Sequence, residues 1–158
     1  MSTAQLDLAS YLPYLLNRAG SRIAASFSVV ARDYGISLQM WRVLAALHHR
    51  DGQRIGDLAE TTSIEVSTLS RALGTMEDKG LLERRRSGGD ARTVTVHRLP
   101  AAIDLTDLMI PIAMHYETSA LAGFTDDEAK MLKAMLRRLF DNMAALEREQ
   151  RDGARKTG

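Results

Sequence analysis

A mainly α-helical fold with one small β-hairpin is predicted for this chain by three features of its sequence. Apolar residues recur at three- and four-residue steps over most of the length, one short stretch switches to a period of two, and capping residues and glycines separate the segments. The 158 residues suit one compact domain or two small lobes sharing a core. Hydrophobic residues make up 45% and charged residues 26%, which supplies a core and a solvated surface and excludes disorder as the main state. No apolar run approaches the roughly 18 residues needed to span a bilayer, and the first ten residues lack the basic and apolar regions of a secretory signal. A cytoplasmic protein with no membrane partner is therefore expected. The absence of cysteine rules out disulfides, thiolate metal sites and cysteine-based redox sensing.

The first helix is expected from about Pro13 to Arg32, with Pro13 in the first turn, where its missing N–H costs nothing. Its stripe is Leu12, Leu16, Ala19, Ile23, Phe27 and Val30, and Gly35 breaks it. Ser37 can cap a second helix that buries Leu38, Trp41, Leu44, Ala45 and Leu47 and ends at Asp51-Gly52. A short helix follows around Ile55 to Thr61. Thr62 and Glu65 have the spacing of a capping box ahead of the next helix, which places Val66, Leu69, Leu73 and Met76 inward. Ser67, Thr68, Arg71 and Thr75 lie on its other side, and Gly80 closes it. Val94 and Val96 then alternate with Thr93, Thr95 and His97, and Gly88-Gly89 supply a turn, so LLERRR and TVTVHRL form a β-hairpin with a basic tip. Two helices complete the chain. The first, about Ile103 to Leu121, should be kinked or divided at Pro111. The second runs from about Asp126 to Arg151, opened by a capping box at Thr125 and Glu128 and striped by Leu132, Met135, Leu136, Leu139, Met143 and Leu146. The tail from Arg151 onward is expected to be disordered.

The net charge of +1 hides an uneven distribution. Between Arg71 and Arg98 stand seven basic residues (Arg71, Lys79, Arg84, Arg85, Arg86, Arg92 and Arg98) against four acidic ones, the footprint of a nucleic-acid-binding surface. Three helices followed by a hairpin, over residues 36–99, is the order of a winged helix-turn-helix. Segments 1–35 and 100–158 are left to form a helical dimerisation lobe, because their helices are too apolar to be hidden by the small winged lobe alone.

The wording of the central segment is more specific. Asp57-Leu58-Ala59, then Ser67-Thr68-Leu69-Ser70-Arg71 running into Gly80-Leu81-Leu82-Glu83-Arg84, then Asp90-Ala91-Arg92, resembles in order and spacing the multiple-antibiotic-resistance regulator (MarR) family of bacterial transcription factors. The resemblance spans nearly the whole chain. It departs after the hairpin, where Leu99-Pro100-Ala101-Ala102-Ile103 replaces the family's usual Leu-Thr-x-x-Gly. It implies a homodimer on a pseudo-palindromic operator of double-stranded DNA, commonly a repressor. It also implies release by a small, often aromatic, anion bound between the lobes.

The residue chemistry fits DNA. A helix enters the major groove with its first turns at base edges, while hydroxyls and basic groups hold phosphates. Arg71 is the candidate for a base or phosphate contact, and Ser67, Thr68 and Ser70 can donate to phosphate oxygens. Arg92 is the candidate for the narrow minor groove, and the resemblance implies that Asp90 holds a guanidinium there. Arg84, Arg85 and Arg86 alternate along a strand, so at most two face DNA, with Arg86 nearest the tip. Tyr14, Arg18 and Arg22 form a line on the first helix and, with Trp41 on the second, could supply an aromatic wall and a carboxylate clamp. Plain core for Trp41 and a solvated face for the arginines are the competing reading. His48 and His49 point about 100° apart and cannot easily share one metal. No metal, cofactor or catalytic machinery is expected. A winged-helix protein-interaction module that does not bind DNA is the alternative function.

Overall fold

The computed structural model describes residues 6–86 and 93–156, with side chains to residue 153. The expectations for Gly88, Gly89, Asp90 and Arg92 fall outside these residues. The chain divides into two compact units, Met1–Glu117 and Thr118–Gly158.

The first unit contains α1 (Leu12–Asp33), α2 (Leu38–His49), β1 (Gln53–Arg54), α3 (Ile55–Thr62), α4 (Val66–Asp78), β2 (Leu82–Arg86), β3 (Val94–Arg98) and most of α5 (Pro100–Ala120). Its core is built from the inward faces of α2, α3 and α4. Val43, Leu44, Leu47, Leu58, Leu69, Leu73 and Met76 are fully buried there, closed on one side by Val96 of β3. The ends of two longer helices join them, Phe27 and Ala31 from α1 and Ala102 and Met109 from α5. Phe27 lies 5.4 Å from Trp41 and 5.7 Å, edge-on, from Tyr116, so one aromatic contact set ties α1, α2 and α5 together.

Local chemistry fixes the boundaries. Ser37 Oγ accepts the N–H of Met40 at 3.2 Å and starts α2 as its N-cap. Gly80, at a φ of 68°, ends α4 where only glycine adopts that conformation without strain. The sheet has the order β1-β3-β2 and is antiparallel throughout, with Leu82 opposite Arg98, Arg84 opposite Val96 and Arg86 opposite Val94. In the second unit, α6 (Asp126–Lys156) opens on a reciprocal cap. Thr125 N–H donates to Glu128 Oε2 at 2.8 Å and Glu128 N–H to Thr125 Oγ1 at 3.2 Å.

Several expectations are corrected. Thr62 and Glu65 do not form a capping box: Ser63 turns into the left-handed region at φ 53° and ends α3, and Thr62 back-bonds to the Leu58 carbonyl. Glu65 is itself the N-cap of α4, which puts Val66 in the first turn and 53% exposed rather than in the core. Pro111 does not divide α5, which runs unbroken with Met109 and Thr106 buried; packing of that face outweighs one missing hydrogen bond. Pro100 opens α5 instead of preceding it, and α6 continues helically through Lys156 where a disordered tail was expected. Strand β1 was not foreseen. Gln53, only 4% exposed, explains it: its Nε2 donates to the carbonyls of Ala46 (2.9 Å) and Arg50 (2.8 Å), satisfying the end of α2 and delivering the chain to the sheet edge.

Only the C-terminal part of the α1 stripe is buried. Leu12 and Ile23 are 51% and 46% exposed, and on α6 Met131, Met135, Leu136, Phe140, Met143 and Leu146 are 40–57% exposed.

Candidate nucleic-acid interface

Helix α4 buries Leu69, Leu73 and Met76 and leaves its opposite side outward, as a period of 3.6 dictates. Ser67, Ser70 and Arg71 are exposed on that side and Thr68 is half-buried. These four sequence-predicted residues are brought together at the start of one helix. Arg71 Nη2 donates to Thr68 Oγ1 at 3.4 Å, one turn back, which aims the guanidinium along the helix toward its N-terminal tip.

Glu65 completes this cluster. Its Oε2 accepts the N–H of Thr68 at 3.1 Å and the hydroxyl of Ser67. The Ser67 hydroxyl, then the N–H groups of Ser67 and Thr68, and last the Arg71 charge, hold its carboxyl below the usual carboxylate range. The group is therefore ionised at neutral pH. Because its folded-state value is the lower one, the cap stabilises the fold above the ordinary glutamate pKa and fades as pH falls through the lowered value.

The wing is braced to this helix by Arg84 rather than left as independent surface. Its Nη2 donates to the Ser70 carbonyl at 3.3 Å and its Nη1 lies 3.5 Å from Glu77 Oε2, so one guanidinium ties β2 to two points of α4 seven residues apart. Arg85 folds onto Glu83, with Nε to Oε1 at 2.7 Å. Arg86 ends β2, exposed and adjacent to the wing tip.

At the other end of the hairpin, Asp51 fastens β3 to the end of α2. Its Oδ1 accepts the N–H of Arg98 at 3.0 Å, and Oδ2 lies 3.3 Å from His97 Nδ1. Arg98 Nη1 donates toward His48 Nδ1 at 3.3 Å. Gly52 is required beside it: at a φ of 71°, a Cβ there would stand 2.8 Å from His97 Cε1. Sequence reading saw Asp51-Gly52 only as a turn, since nothing in the local pattern announces a partner 47 residues away. Asp51→Ala is expected to lower stability by about 0.5–1.5 kcal/mol in urea unfolding, the worth of the backbone bond, because ion pairs at an exposed carboxylate add little. Unchanged unfolding would show that the wing base is held by its strand pairing alone.

The second group of expected residues is only partly assembled. Arg18 Cζ stands 5.5 Å from the centre of the Tyr14 ring, and Arg18 and Arg22 share a groove of about 590 Å³ on α1 with Leu15, Ala19, Ser21 and Ala25. Trp41 packs on Phe27 and does not line it. Among the described residues, no three His, Asp or Glu side chains gather as a metal site, and no helix is long and apolar enough to cross a membrane.

Comparison with known proteins gives concordant matches. Residues 34–93 match the model of the MarR family. A MarR-family transcriptional regulator of Silicibacter pomeroyi is 31% identical, with 90% of this chain and 96% of that one covered and a TM-score of 0.79. BpsR of Bordetella bronchiseptica, whose DNA binding is regulated by 6-hydroxynicotinic acid, is 24% identical over 87% of this chain and 99% of its own, also with a TM-score of 0.79. The transcriptional repressor IacR of Pseudomonas putida is 21% identical, covering 84% of this chain and 80% of IacR.

Proposed function

The chain belongs to the MarR family of helix-turn-helix transcriptional regulators, and from that membership we propose that it is a homodimeric repressor of a pseudo-palindromic operator, released by a small aromatic anion. The observation that carries this reading is the tip of α4, where Ser67, Thr68, Ser70 and Arg71 share one outward side of a helix braced to its wing. In each protomer α4 enters the major groove. Arg71 reaches a base edge or phosphate there, and the hydroxyls of Thr68 and Ser70 donate to phosphate oxygens, while that of Ser67 is engaged by Glu65. Arg86 and Arg92 approach the flanking minor groove, with Asp90 positioning a guanidinium.

Residues 36–99 serve as the DNA-binding lobe, while residues 1–35 and 100–158 supply the dimer contacts. The exposed apolar residues of α1 and α6 support that assignment, since a soluble protomer has no other reason to present so many. A dimer on two half-sites one turn apart covers about 20 base pairs and blocks a promoter in the cytoplasm. The likeness to the repressor IacR supports the negative sign of regulation. The likeness to BpsR supports an aromatic acid as effector, and Arg18 and Arg22, with Tyr14 beside them, are the side chains offered to its carboxylate and ring.

A salt titration on a duplex selected from random sequence tests the central part. Each phosphate neutralised per dimer adds about 0.9 to the negative slope of log affinity against log salt. A steep linear fall is expected. A flat response would point instead to a protein-interaction module.

A further inference from the structure

One residue at the α4 tip has a chemistry opposite to its neighbours. Around it stand donors suited to an anionic partner; Glu65 is an ionised acceptor, fully exposed, at the helix end that enters the groove. As a cap it is an unusual choice, because the short side chains of Ser, Thr, Asp and Asn are the preferred N-caps. A longer carboxylate arm adds a negative charge close to DNA phosphates, which opposes binding to every duplex unless a base contact offsets it. The side chain is also held in place. Its bonds to Thr68 N–H and Ser67 Oγ both fall on Oε2, and a carboxylate with about four acceptor positions keeps room for a further donor.

We propose that Glu65 is a specificity-determining residue of the DNA interface: its carboxylate, pinned at the tip of α4, accepts the exocyclic amine of a cytosine in the major groove and excludes the keto oxygens of guanine and thymine at that position. Cytosine N4 is the donor that a glutamate or aspartate reads in the major groove, whereas guanine O6 and thymine O4 offer only acceptors. Arg71, six residues on, has the complementary preference for guanine O6 and N7. The tip of α4 thus carries a reader for cytosine and a reader for guanine, at separate positions of the half-site. Adenine, whose N6 amine is also a donor, is the second choice at the Glu65 position. This inference rests on the DNA-binding reading above.

The test is parallel selection from one pool of random duplexes by the wild type, Glu65→Gln, Glu65→Ser and Arg71→Ala, with thermal melting of each protein. The wild type is expected to enrich one cytosine per half-site that Glu65→Gln and Glu65→Ser both relax, while positions lost in Arg71→Ala stay unaffected by them. Glu65→Ser keeps a capping hydroxyl, so its relaxation cannot be assigned to a lost helix start. On an unselected duplex at low salt Glu65→Gln binds tighter by about fivefold for each protomer, the order Coulomb's law gives for removing one charge about 4 Å from a phosphate in water, and the gain shrinks as salt rises. Identical motifs from the wild type and both Glu65 variants overturn the proposal and leave the DNA reading standing, as does guanine or thymine at the responsive position. A wild type that enriches no motif at all overturns the DNA reading and this inference with it.

Discussion

Replacing Arg71 by alanine is expected to weaken binding to a selected duplex by about 5- to 150-fold for each half-site, the 1–3 kcal/mol carried by one good base contact, and by the product of the two losses for the dimer. The protomer should fold as before. Arg71 is exposed, and its side-chain hydrogen bond is the single 3.4 Å contact to Thr68, so its loss falls within the small range of ordinary surface substitutions. Fluorescence anisotropy at several salt concentrations separates its two possible roles. A base contact relaxes sequence preference and leaves the salt slope alone, whereas a phosphate contact weakens all duplexes alike and lowers the slope by about one per protomer, about two for the dimer. Affinity unchanged at every salt would remove the tip of α4 from the interface.

A larger loss should follow from charging the apolar stripe of α6. Leu136 and Phe140 are 40% and 55% exposed on the same helical face, one turn apart. The double variant Leu136→Glu with Phe140→Glu places two carboxylates where a second copy would have to exclude water. Sedimentation is expected to give a monomer where the wild type gives a dimer. Affinity for a two-half-site duplex should then drop by about 10²–10⁴, the gain that linking two binding modules provides. A variant that stays dimeric would move the interface elsewhere.

The fold was legible where one physical signal dominates. Periodicity located α1, α2, α4 and α6, Ser37 and Gly80 announced α2's start and α4's end, and alternation announced the β2–β3 hairpin. What escaped depended on competition or distance. The Thr62–Glu65 spacing satisfied the capping-box pattern, but Ser63 adopted a left-handed turn and handed the cap to Glu65, which also moved Val66 outward. Pro111 carried a breaking signal that burial of its neighbours overrode. β1 is two residues long, too short for alternation to register, and exists because Gln53 caps α2 with its side chain. At the site, the chain's own order gave Ser67, Thr68, Arg71 and Thr75 as one face, with Ser70 as a further hydroxyl donor. Arg84 as a brace to Ser70 and Glu77, and Asp51 as an anchor for Arg98, needed the third dimension.

The central claim, two copies presenting paired α4 helices to one duplex, is tested most directly by a distance. The chain has no cysteine, so a single Asp78→Cys at the C-terminal end of α4, exposed and away from the tip that enters the groove, accepts one nitroxide per protomer. Pulsed electron resonance on the complex with a selected duplex should then return one interprotomer separation near a full turn of B-DNA, about 34 Å. A signal without dipolar modulation, or a separation that no two successive major grooves on one face can match, would contradict it.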